Sequence, residues 1–328
     1  MENRLMIGVD GGGTHTIAVA ARSDGTVLGY AKGAGINYNA IGLEKARHNL
    51  YALITGMPCV LENGYSRICV GHSALDGPAD EATTHSFAGS SFDFSQLDLQ
   101  SDAFAALMGL TCGKPGLIII CGTGSMLLAV DKEGGQHVMG GWGYILGDMG
   151  SSYALAIEGL RTAIDGWEDI GEKTALMDAA LSHFQITSPR DLIQAVYAPE
   201  TTPSIIAQFA KEVLRLNDSD SVATEIISKQ MRHIALQAEK LLARYPEIRH
   251  IGLSGGIFTH NPSVFAQLKQ LLNKTDSALT VAFPTYPPEL GALMHLFMQQ
   301  GMLNDEVRER MQKSYQHKKA GGFSNEGA

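Results

Sequence analysis

Apolar and polar positions alternate as in sheet strands over the first forty residues. The runs Leu5–Val9 and Thr16–Ala21 predict two strands, and the Asp24-Gly25 pair predicts a hairpin turn before a third. Apolar residues then recur at helical spacing from Leu43 to Ile54. The beginning of the chain therefore predicts a strand-rich segment followed by an amphipathic helix.

The same succession of elements begins again near residue 116. Leu117–Cys121 is a continuous apolar run, typical of a strand covered on both faces, and a second short run spans Met126–Val130. In both places a Gly-Thr loop precedes an acidic residue–glycine turn by ten residues, counted from Thr14 and from Thr123. This faint repeat predicts two related halves.

The rest of the chain is mostly helical in pattern. Helical spacing predominates from Ser151 to Tyr245, with one long candidate helix over Ser221–Arg244. Ile248–Leu253 predicts a returning strand, and Pro288–Met298 predicts a late helix. Beyond about Asp305 the chain is charged and then rich in Gly and Ser, so we expect a poorly packed tail.

Composition narrows the class of protein. Of 328 residues, 45% are hydrophobic and 18% are charged, which excludes a disordered or collagen-like chain. A net charge of −9 argues against nucleic-acid and membrane partners, because binding to anionic phosphates relies on Lys and Arg. No secretory leader is evident, the apolar stretch Pro115–Val130 is too short to span a membrane, and the cysteines lack C-x-x-C spacing. We therefore expect a cytoplasmic α/β protein with reduced thiols.

The 37 glycines exceed average usage by about 14, and many gather in segments suited to phosphate binding. Gly11, Gly12 and Gly13 follow Asp10 at the end of a predicted strand, and Thr14 comes next. Consecutive glycines let a ligand approach the backbone, whose N–H groups can form an anion-binding nest. The Asp10 carboxylate suits Mg²⁺, directly or through water. The alternative is a tight hairpin with a solvated Asp.

A second glycine loop, Gly122-Thr123-Gly124, occupies the corresponding place in the repeated hairpin. Alone it more often marks a turn, but two such loops facing each other would clamp a nucleotide triphosphate. The sequence has no G-x-x-x-x-G-K-[ST] loop. Asp102 follows a strand-like segment and opens a helix, so it is either a helix cap or a carboxylate at the ligand-binding end of a sheet.

The densest glycine segment, residues 134–150, carries Gly141, Trp142 and Asp148. Trp142 suits a core anchor and Asp148 a helix cap, but seven glycines in 17 residues favour a ligand that needs close backbone approach. Earlier in the chain, Asn37 and Asn39 carry amide groups that donate and accept hydrogen bonds. They suit either an ordinary loop or a polyhydroxyl ligand.

Together these segments resemble the sugar-kinase, heat-shock-protein and actin superfamily of ATPases. More closely, they resemble its N-acetylglucosamine kinase branch, which is grouped with the BadF-type ATPases that activate dehydratases and reductases of acyl-CoA substrates. The resemblance extends from Ile7 to about Met298. Its matching segments are Ile7–Thr14, Gln100–Ala103, Cys121–Ser125, Gly140–Ser151 and Leu253–Gly256.

The resemblance implies an α/β fold of two ribonuclease-H-like domains, as in actin-like ATPases, with a nucleotide and sugar cleft between them. We expect an N-terminal domain over residues 1–113 plus about 288–304, and a C-terminal domain with a helical insertion over 114–287. Residues 305–328 would form the flexible tail. A homodimer is also expected.

The resemblance further implies a kinase that uses ATP and Mg²⁺, with Asp10 near the metal. Asp102 falls on the position of the general base, which takes the proton from a sugar hydroxyl as it attacks the γ-phosphate. The residues implied in ATP binding are Gly11, Gly12, Gly13, Thr14, Gly122, Thr123, Gly124, Gly255 and Gly256. Those implied in sugar binding are Asn37, Asn39, Asp102, Gly122, Gly141, Trp142 and Asp148.

The expected substrate is an amino sugar, foremost N-acetylglucosamine phosphorylated at its 6-hydroxyl. Glucosamine and N-acetylmuramic acid stay open, because Asn37-Tyr38-Asn39 replaces the Asn-His-Trp of animal N-acetylglucosamine kinases. Two other classes are an ATPase activator of a 2-hydroxyacyl-CoA dehydratase-type enzyme and a non-catalytic sugar sensor. The chain lacks the late cysteine with which the activators hold an iron–sulfur cluster, and the zinc cysteines of the repressor-and-kinase sugar family.

Overall fold

A computed structural model of the protein describes residues 4–321. The strands are β1 (Leu5–Gly11), β2 (His15–Ala21), β3 (Val27–Ala34), β4 (Tyr65–His72), β5 (Leu97–Ser101), β6 (Gly116–Cys121), β7 (Ser125–Val130), β8 (Gln136–Gly140), β9 (His250–Ser254) and β10 (Thr280–Ala282). The helices are α1 (Tyr38–Ile41), α2 (Leu43–Thr55), α3 (Pro58–Asn63), α4 (Glu81–Ala88), α5 (Asp102–Thr111), α6 (Gly143–Leu146), α7 (Ser152–Trp167), α8 (Leu176–Phe184), α9 (Leu192–Tyr197), α10 (Pro203–Ala207), α11 (Ala210–Arg215), α12 (Ser221–Arg244), α13 (Gly256–His260), α14 (Pro262–Thr275), α15 (Pro288–Gln299) and α16 (Asp305–Gly321). Short 3₁₀ helices cover Phe94–Gln96 and Pro189–Asp191.

The chain divides into two compact units, Met1–Ile118 with Phe283–Ala328, and Ile119–Ala282. The first unit is built on a five-stranded sheet in the order β3-β2-β1-β4-β5. β1 is antiparallel to β2 but parallel to β4, which is parallel to β5. In this register Gly11 pairs with His72, and His72 pairs with Ser101. The carboxyl ends of the three parallel strands therefore lie side by side.

The second sheet has the order β8-β7-β6-β9-β10, which is the order of the first sheet repeated. Its β7–β8 pair is an antiparallel hairpin, like the hairpins at the start of the chain, and β9 and β10 are parallel. The prediction of two related halves is confirmed by this shared topology. The fold is α/β, as the sequence predicts, and the long helix predicted over Ser221–Arg244 is α12.

The two faces of β1 pack against different helices. Leu5, Ile7 and Val9 point into a core that contains the apolar face of α2. The side chains between them point to the opposite face, because alternate residues of a strand share a face. Met6 packs there against α15, and Gly8 and Asp10 follow it on the same face.

The prediction of a flexible tail is wrong for residues 305–321, because these residues form α16. Met311 and Tyr315 are buried in the core beneath α15, and Val307 packs against that core. The Val27 N–H donates to Ser314 Oγ at 2.9 Å, which ties α16 to β3. The reason for the error is that the apolar side chains stand four residues apart on one narrow stripe of an otherwise charged helix. Residues 322–328 lie outside the described residues.

Two further properties concern the described chain as a whole. Between residues 4 and 321, no helix combines the length and the apolar character needed to cross a membrane. The four cysteines, Cys59, Cys69, Cys112 and Cys121, are free thiols, of which Cys69 and Cys121 are buried.

Candidate active site

The predicted catalytic and metal-binding carboxylates lie at the carboxyl end of the first sheet. Asp10 is the penultimate residue of β1 and pairs with Gly71 of β4. A Cβ atom on Gly71 would lie 2.6 Å from Ala105 Cβ and 3.4 Å from Asp102 Cα. A glycine is therefore needed for the first turn of α5 to rest on β4. This close approach brings Asp102 to the same strand end as Asp10.

Asp102 is the first residue of α5 and not its cap. The capping residue is Ser101, whose Oγ accepts a hydrogen bond of 3.1 Å from the Phe104 N–H. The cap interpretation of Asp102 is therefore wrong, because the neighbouring serine already satisfies the free N–H group. Burial raises the pKa of Asp102, the Ala103 N–H opposes the shift, and the negative charge of Asp76 adds to it. A carboxylate with a raised pKa is a stronger base.

Asp10 lies where negative charge accumulates. Burial, then the charges of Glu289 and Asp102, raise the pKa of Asp10 to about 7. A cation beside Asp10 would relieve this repulsion and keep its carboxylate ionised. Carboxylate oxygen is the donor that Mg²⁺ prefers, and Mg²⁺ usually completes its shell with phosphates and water. The residues present therefore fit Mg²⁺ that arrives with a nucleotide.

A metal site built only from protein side chains has different requirements. Among residues 4–321, no group of three or more His, Cys, Asp or Glu side chains is arranged to hold a metal ion. A zinc or iron site built from protein side chains would need such a group. A Mg²⁺ site that uses one or two carboxylates and the phosphates of its nucleotide would not.

The first glycine loop turns sharply between β1 and β2. The Gly12 N–H donates to the His15 carbonyl at 3.1 Å, and the Gly12 carbonyl accepts from the Ile36 N–H at 3.0 Å. Gly13 and Thr14 are exposed, and Thr14 Oγ1 lies 3.0 Å from His15 Nδ1. Within the part of the chain that the structure describes, the Gly13 and Thr14 N–H groups donate no backbone hydrogen bond. They are available to an anion, as the predicted nest requires.

Asn37 is connected to this loop through Ser73. Its Oδ1 accepts from the Asn39 N–H at 3.1 Å, and its Nδ2 donates to Ser73 Oγ at 3.1 Å. The Ser73 N–H in turn donates to the Gly11 carbonyl at 3.0 Å. Asn39 contributes its backbone here, and its side chain is exposed. Ser73 was not predicted from the sequence, although its place just after β4 is a usual one for a ligand-binding residue.

The second glycine loop belongs to the other unit and is held by the beginning of α7. The Ser152 N–H donates to the Gly122 carbonyl at 2.8 Å, and the Tyr153 N–H donates to the Thr123 carbonyl at 3.3 Å. Gly122 N–H also donates to the Gly124 carbonyl at 2.9 Å. The first N–H groups of a helix have no partner within it, so these contacts satisfy both segments.

Asp148 packs against this loop. Its Oδ2 atom would lie 2.7 Å from a Cβ atom on Gly124, so the glycine makes room for the carboxylate. On either side the backbone is fixed: Ser125 Oγ donates to the Met149 carbonyl at 2.7 Å, and the Gly150 N–H donates to Gln230 Oε1 at 2.6 Å. Gln230 is a buried residue of α12, and no local pattern in the sequence indicates this long-range contact.

Gly141 and Trp142 differ in how the structure holds them. The Gly141 N–H donates to the Ser125 carbonyl at 3.1 Å, and its φ of +70° favours glycine. Trp142 is 72% exposed, so the core-anchor interpretation is wrong. Its neighbours Ile145 and Leu146 are exposed as well.

Thr123 and Gly256 come together in a cavity of about 440 Å³ in the second unit. A Cβ atom on Gly255 would lie 2.2 Å from the Cys121 carbonyl oxygen, and the φ of Gly255 is +100°. Only glycine permits this approach, which brings the start of α13 next to the second glycine loop. The cavity is also lined by cationic or polar side chains that the sequence analysis missed, namely Lys211, Arg215, His260 and Asn261.

The repeated sheets, the carboxylate and glycine loop after β1 and the Gly-Thr-Gly loop after β6 define a protein of the sugar-kinase and actin class of ATPases. The sequence profile of the BadF/BadG/BcrA/BcrD ATPase family matches residues 7–295. The chain belongs to this family, which implies the use of ATP.

Several known proteins similar to the chain are named as kinases of amino sugars. An N-acetyl-D-glucosamine kinase of Dictyostelium discoideum is 34% identical over 219 residues, which cover 61% of this chain and 67% of the relative. An N-acetylmuramic acid/N-acetylglucosamine kinase of Clostridium acetobutylicum is 27% identical over 277 residues, or 82% of this chain and 90% of the relative. A crystal structure of a candidate N-acetylglucosamine kinase from Chromobacterium violaceum superposes with a TM-score of 0.71 at 25% identity, covering 90% of this chain and all of that one.

Proposed function

We propose that this protein is an ATP-dependent amino-sugar kinase and that it phosphorylates N-acetylglucosamine at the 6-hydroxyl. The observation that carries the proposal is the position of Asp102. Asp102 Cα lies 3.4 Å from the place of a Cβ atom on Gly71, the residue that pairs with Asp10, and burial raises the pKa of the Asp102 carboxyl. The similarity to two kinases that share N-acetylglucosamine in their names supports the substrate.

In this proposal Asp102 is the general base. It accepts the proton of the sugar hydroxyl while that oxygen forms a bond to the γ-phosphorus. The bond between the γ-phosphorus and the bridging oxygen breaks, and ADP leaves. Phosphoryl transfer depends mainly on positioning and on stabilising charge, and general-base assistance adds typically ~10²–10⁴-fold.

The nucleotide would be held by backbone groups. In the first unit, the N–H groups of Gly13 and Thr14, which donate no backbone hydrogen bond within residues 4–321, suit phosphate oxygens. In the second unit, the cavity that contains Thr123 and Gly256 suits a nucleoside. Asp10 would hold Mg²⁺, which neutralises phosphate charge when bound. In the first unit Asn37, which Ser73 holds, would donate and accept hydrogen bonds with sugar hydroxyls. In the second unit the Asp148 carboxylate, for which Gly124 leaves room, would accept hydrogen bonds from sugar hydroxyls.

N-acetylmuramic acid is the second candidate substrate, because the Clostridium relative is named for both sugars. Glucosamine stays a third alternative within the same chemistry. An ATPase activator or a sugar sensor would show no sugar-stimulated turnover of ATP.

A coupled ADP-release assay with a panel of amino sugars tests the proposal. We expect Mg²⁺-dependent ADP release with N-acetylglucosamine and identification of the 6-phosphate by NMR. The matched control is Asp102→Asn, which should bind ATP but release little ADP. If no amino sugar stimulates ADP release from the wild-type protein, the kinase proposal is wrong, and an iron content measured on the purified protein would then test the activator class.

A further inference from the structure

A buried hydrogen bond joins helix α16 to α15, the helix that packs on β1. The Tyr315 hydroxyl donates to Glu289 Oε1 at 2.5 Å. Tyr315 is 5% exposed and Glu289 is 2% exposed, so water does not replace this contact. The ring of Tyr315 is also fixed, since it meets the ring of Tyr30 edge-on at 5.9 Å. Glu289 therefore has a defined position in the first turn of α15.

Glu289 lies on the face of the sheet to which Asp10 points. Gly8 and Asp10 are two residues apart on β1 and share a face. A Cβ atom on Gly8 would lie 2.2 Å from the Glu289 carbonyl oxygen and 2.6 Å from the Leu293 nitrogen, so α15 rests directly on the strand there. The first turn of α15 therefore lies against β1 two residues before Asp10, and the charge of Glu289 is the second cause, after burial, of the raised pKa of Asp10.

A buried carboxylate next to another carboxylate is unfavourable for the protein alone. Tyr315 provides one hydrogen bond to Glu289, and the charge of Asp10 has the same sign as that of Glu289. Next to a divalent cation the balance is reversed, because a second fixed negative charge attracts the ion more strongly in a poorly solvated site. The negative charge of Glu289 therefore favours binding of a cation rather than the stability of the protein alone.

We propose that Glu289 is a positioning residue for the Mg²⁺ that accompanies the nucleotide, and that Tyr315 of α16 holds Glu289 in place. Glu289 acts through Asp10: its fixed charge strengthens the attraction of the phosphate-loop carboxylate for the ion. This inference rests on the proposed nucleotide site and adds two residues to it. It also gives α16 a role in ligand binding.

Calorimetric titration of the full chain with ADP, once with Mg²⁺ and once with EDTA, tests the inference without any sugar. Glu289→Gln should weaken binding of Mg²⁺-ADP by about tenfold or more, because it removes one charge near the ion. Binding of ADP in EDTA should stay as in the wild-type protein. Tyr315→Phe should weaken Mg²⁺-ADP binding by about fivefold, because Glu289 keeps its charge but loses its hydrogen-bond donor.

Two further variants separate this effect from a loss of folding. Tyr30→Phe removes a hydroxyl from the neighbouring ring, and within residues 4–321 that hydroxyl donates no hydrogen bond to Glu289, so Mg²⁺-ADP affinity should not change. Met311→Ala removes a fully buried side chain of α16, so it should lower the melting temperature without changing the ratio of the two affinities.

The outcomes distinguish the inference from the proposed function. Wild-type affinity for Mg²⁺-ADP in Glu289→Gln overturns the inference, and so does an equal loss of affinity with and without Mg²⁺. If Glu289→Gln does not fold, the same two affinities are measured on Tyr315→Phe, and the same outcomes overturn the inference. Wild-type ADP binding that does not depend on Mg²⁺ overturns both this inference and the proposed metal site, whereas a failure to phosphorylate sugars affects only the proposed kinase activity.

Discussion

The Asp148 Oδ2 atom lies 2.7 Å from the position that a Cβ atom would take on Gly124. Asp148 has little freedom to retreat, because it is 9% exposed and adopts a φ of +56°. Gly124 itself has no positive φ, so its backbone would accept an alanine. The space beside Gly124 is therefore reserved for the Asp148 carboxylate, which we propose to be a sugar ligand.

Gly124→Ala should raise the KM for the sugar by about tenfold or more, because a displaced ligand no longer meets the sugar hydroxyls. Because Gly124 also belongs to the second glycine loop, affinity for Mg²⁺-ADP is measured separately from the KM for the sugar. Steady-state kinetics with each substrate varied in turn measures both. The matched control is Gly77→Ala, since a Cβ atom on Gly77 meets nothing within 4 Å and its φ is not positive. An unchanged sugar KM in Gly124→Ala would show that Asp148 does not hold the sugar.

Asp102→Asn should lower the kcat for sugar phosphorylation by roughly 10²–10⁴-fold. The amide is nearly isosteric but cannot accept the proton, and α5 keeps its Ser101 cap. Affinity for Mg²⁺-ADP should persist. Rapid-quench or coupled kinetics measures the kcat, and calorimetry on the same preparation measures the affinity for Mg²⁺-ADP. Near-normal turnover would remove Asp102 from the role of base.

Asp76→Asn should shift the acid limb of the kcat/KM profile to lower pH. The negative charge of Asp76 adds to burial in raising the pKa of Asp102, so its removal lowers that pKa. The base then stays ionised at a lower pH than in the wild-type protein. Asp76 is exposed, and its replacement should leave the melting temperature unchanged. An acid limb at the wild-type position would mean that a group other than Asp102 controls it.

Parts of the fold that depend on local patterns were predictable from the sequence. The repeated hairpins follow from alternation and turn residues, and α12 follows from sustained helical spacing. α16 could not be recognised by its composition, because only Val307, Met311 and Tyr315 supply its apolar stripe. Their spacing of four residues is the one signal available, and it is weak in a helix that is otherwise charged.

Some residues of the candidate site could be predicted from the sequence and others could not. Asp10, Asp102 and the glycine loops stand next to strand ends, so their neighbourhood can be inferred from chain order. Gln230 and Glu289 come from helices far along the chain, and their contacts depend on packing that no local pattern records. The glycine surplus is also only partly explained by ligand binding. Gly8, for instance, makes room for α15.

Met311→Ala should lower the free energy of unfolding by about 2–4 kcal/mol, because it leaves a cavity where a fully buried side chain packs beneath α15. Lys313→Ala, on the exposed side of the same helix, should change it by less than about 0.5 kcal/mol. Urea unfolding followed by circular dichroism measures both. Equal stabilities for the two variants would mean that α16 does not pack on the first unit in solution.

His72 makes the stability of the first unit depend on pH. Burial lowers the pKa of His72 to about 4, whereas an unfolded chain has the ordinary value of 6.5. The neutral ring accepts a hydrogen bond of 3.1 Å from the Ala74 N–H and packs between Tyr38 and Phe87. Because the unfolded state binds the proton more tightly, the stability contribution is complete above pH 6.5. It is lost as the pH falls from there toward 4.

Between pH 7 and pH 5 this linkage should cost the wild-type protein about 2 kcal/mol in the free energy of unfolding. His72→Phe keeps a ring between the same two neighbours but cannot titrate, so its pH dependence over this range should be smaller by about that amount. At pH 7 the variant should be less stable by about 1 kcal/mol, since the Ala74 N–H loses its acceptor. Urea unfolding at the two pH values measures the difference, with His48→Gln, an exposed position on α2, as the control. If His72→Phe and the wild-type protein lose stability equally, the acid sensitivity arises elsewhere, and His72 is not the buried neutral ring that its contacts describe.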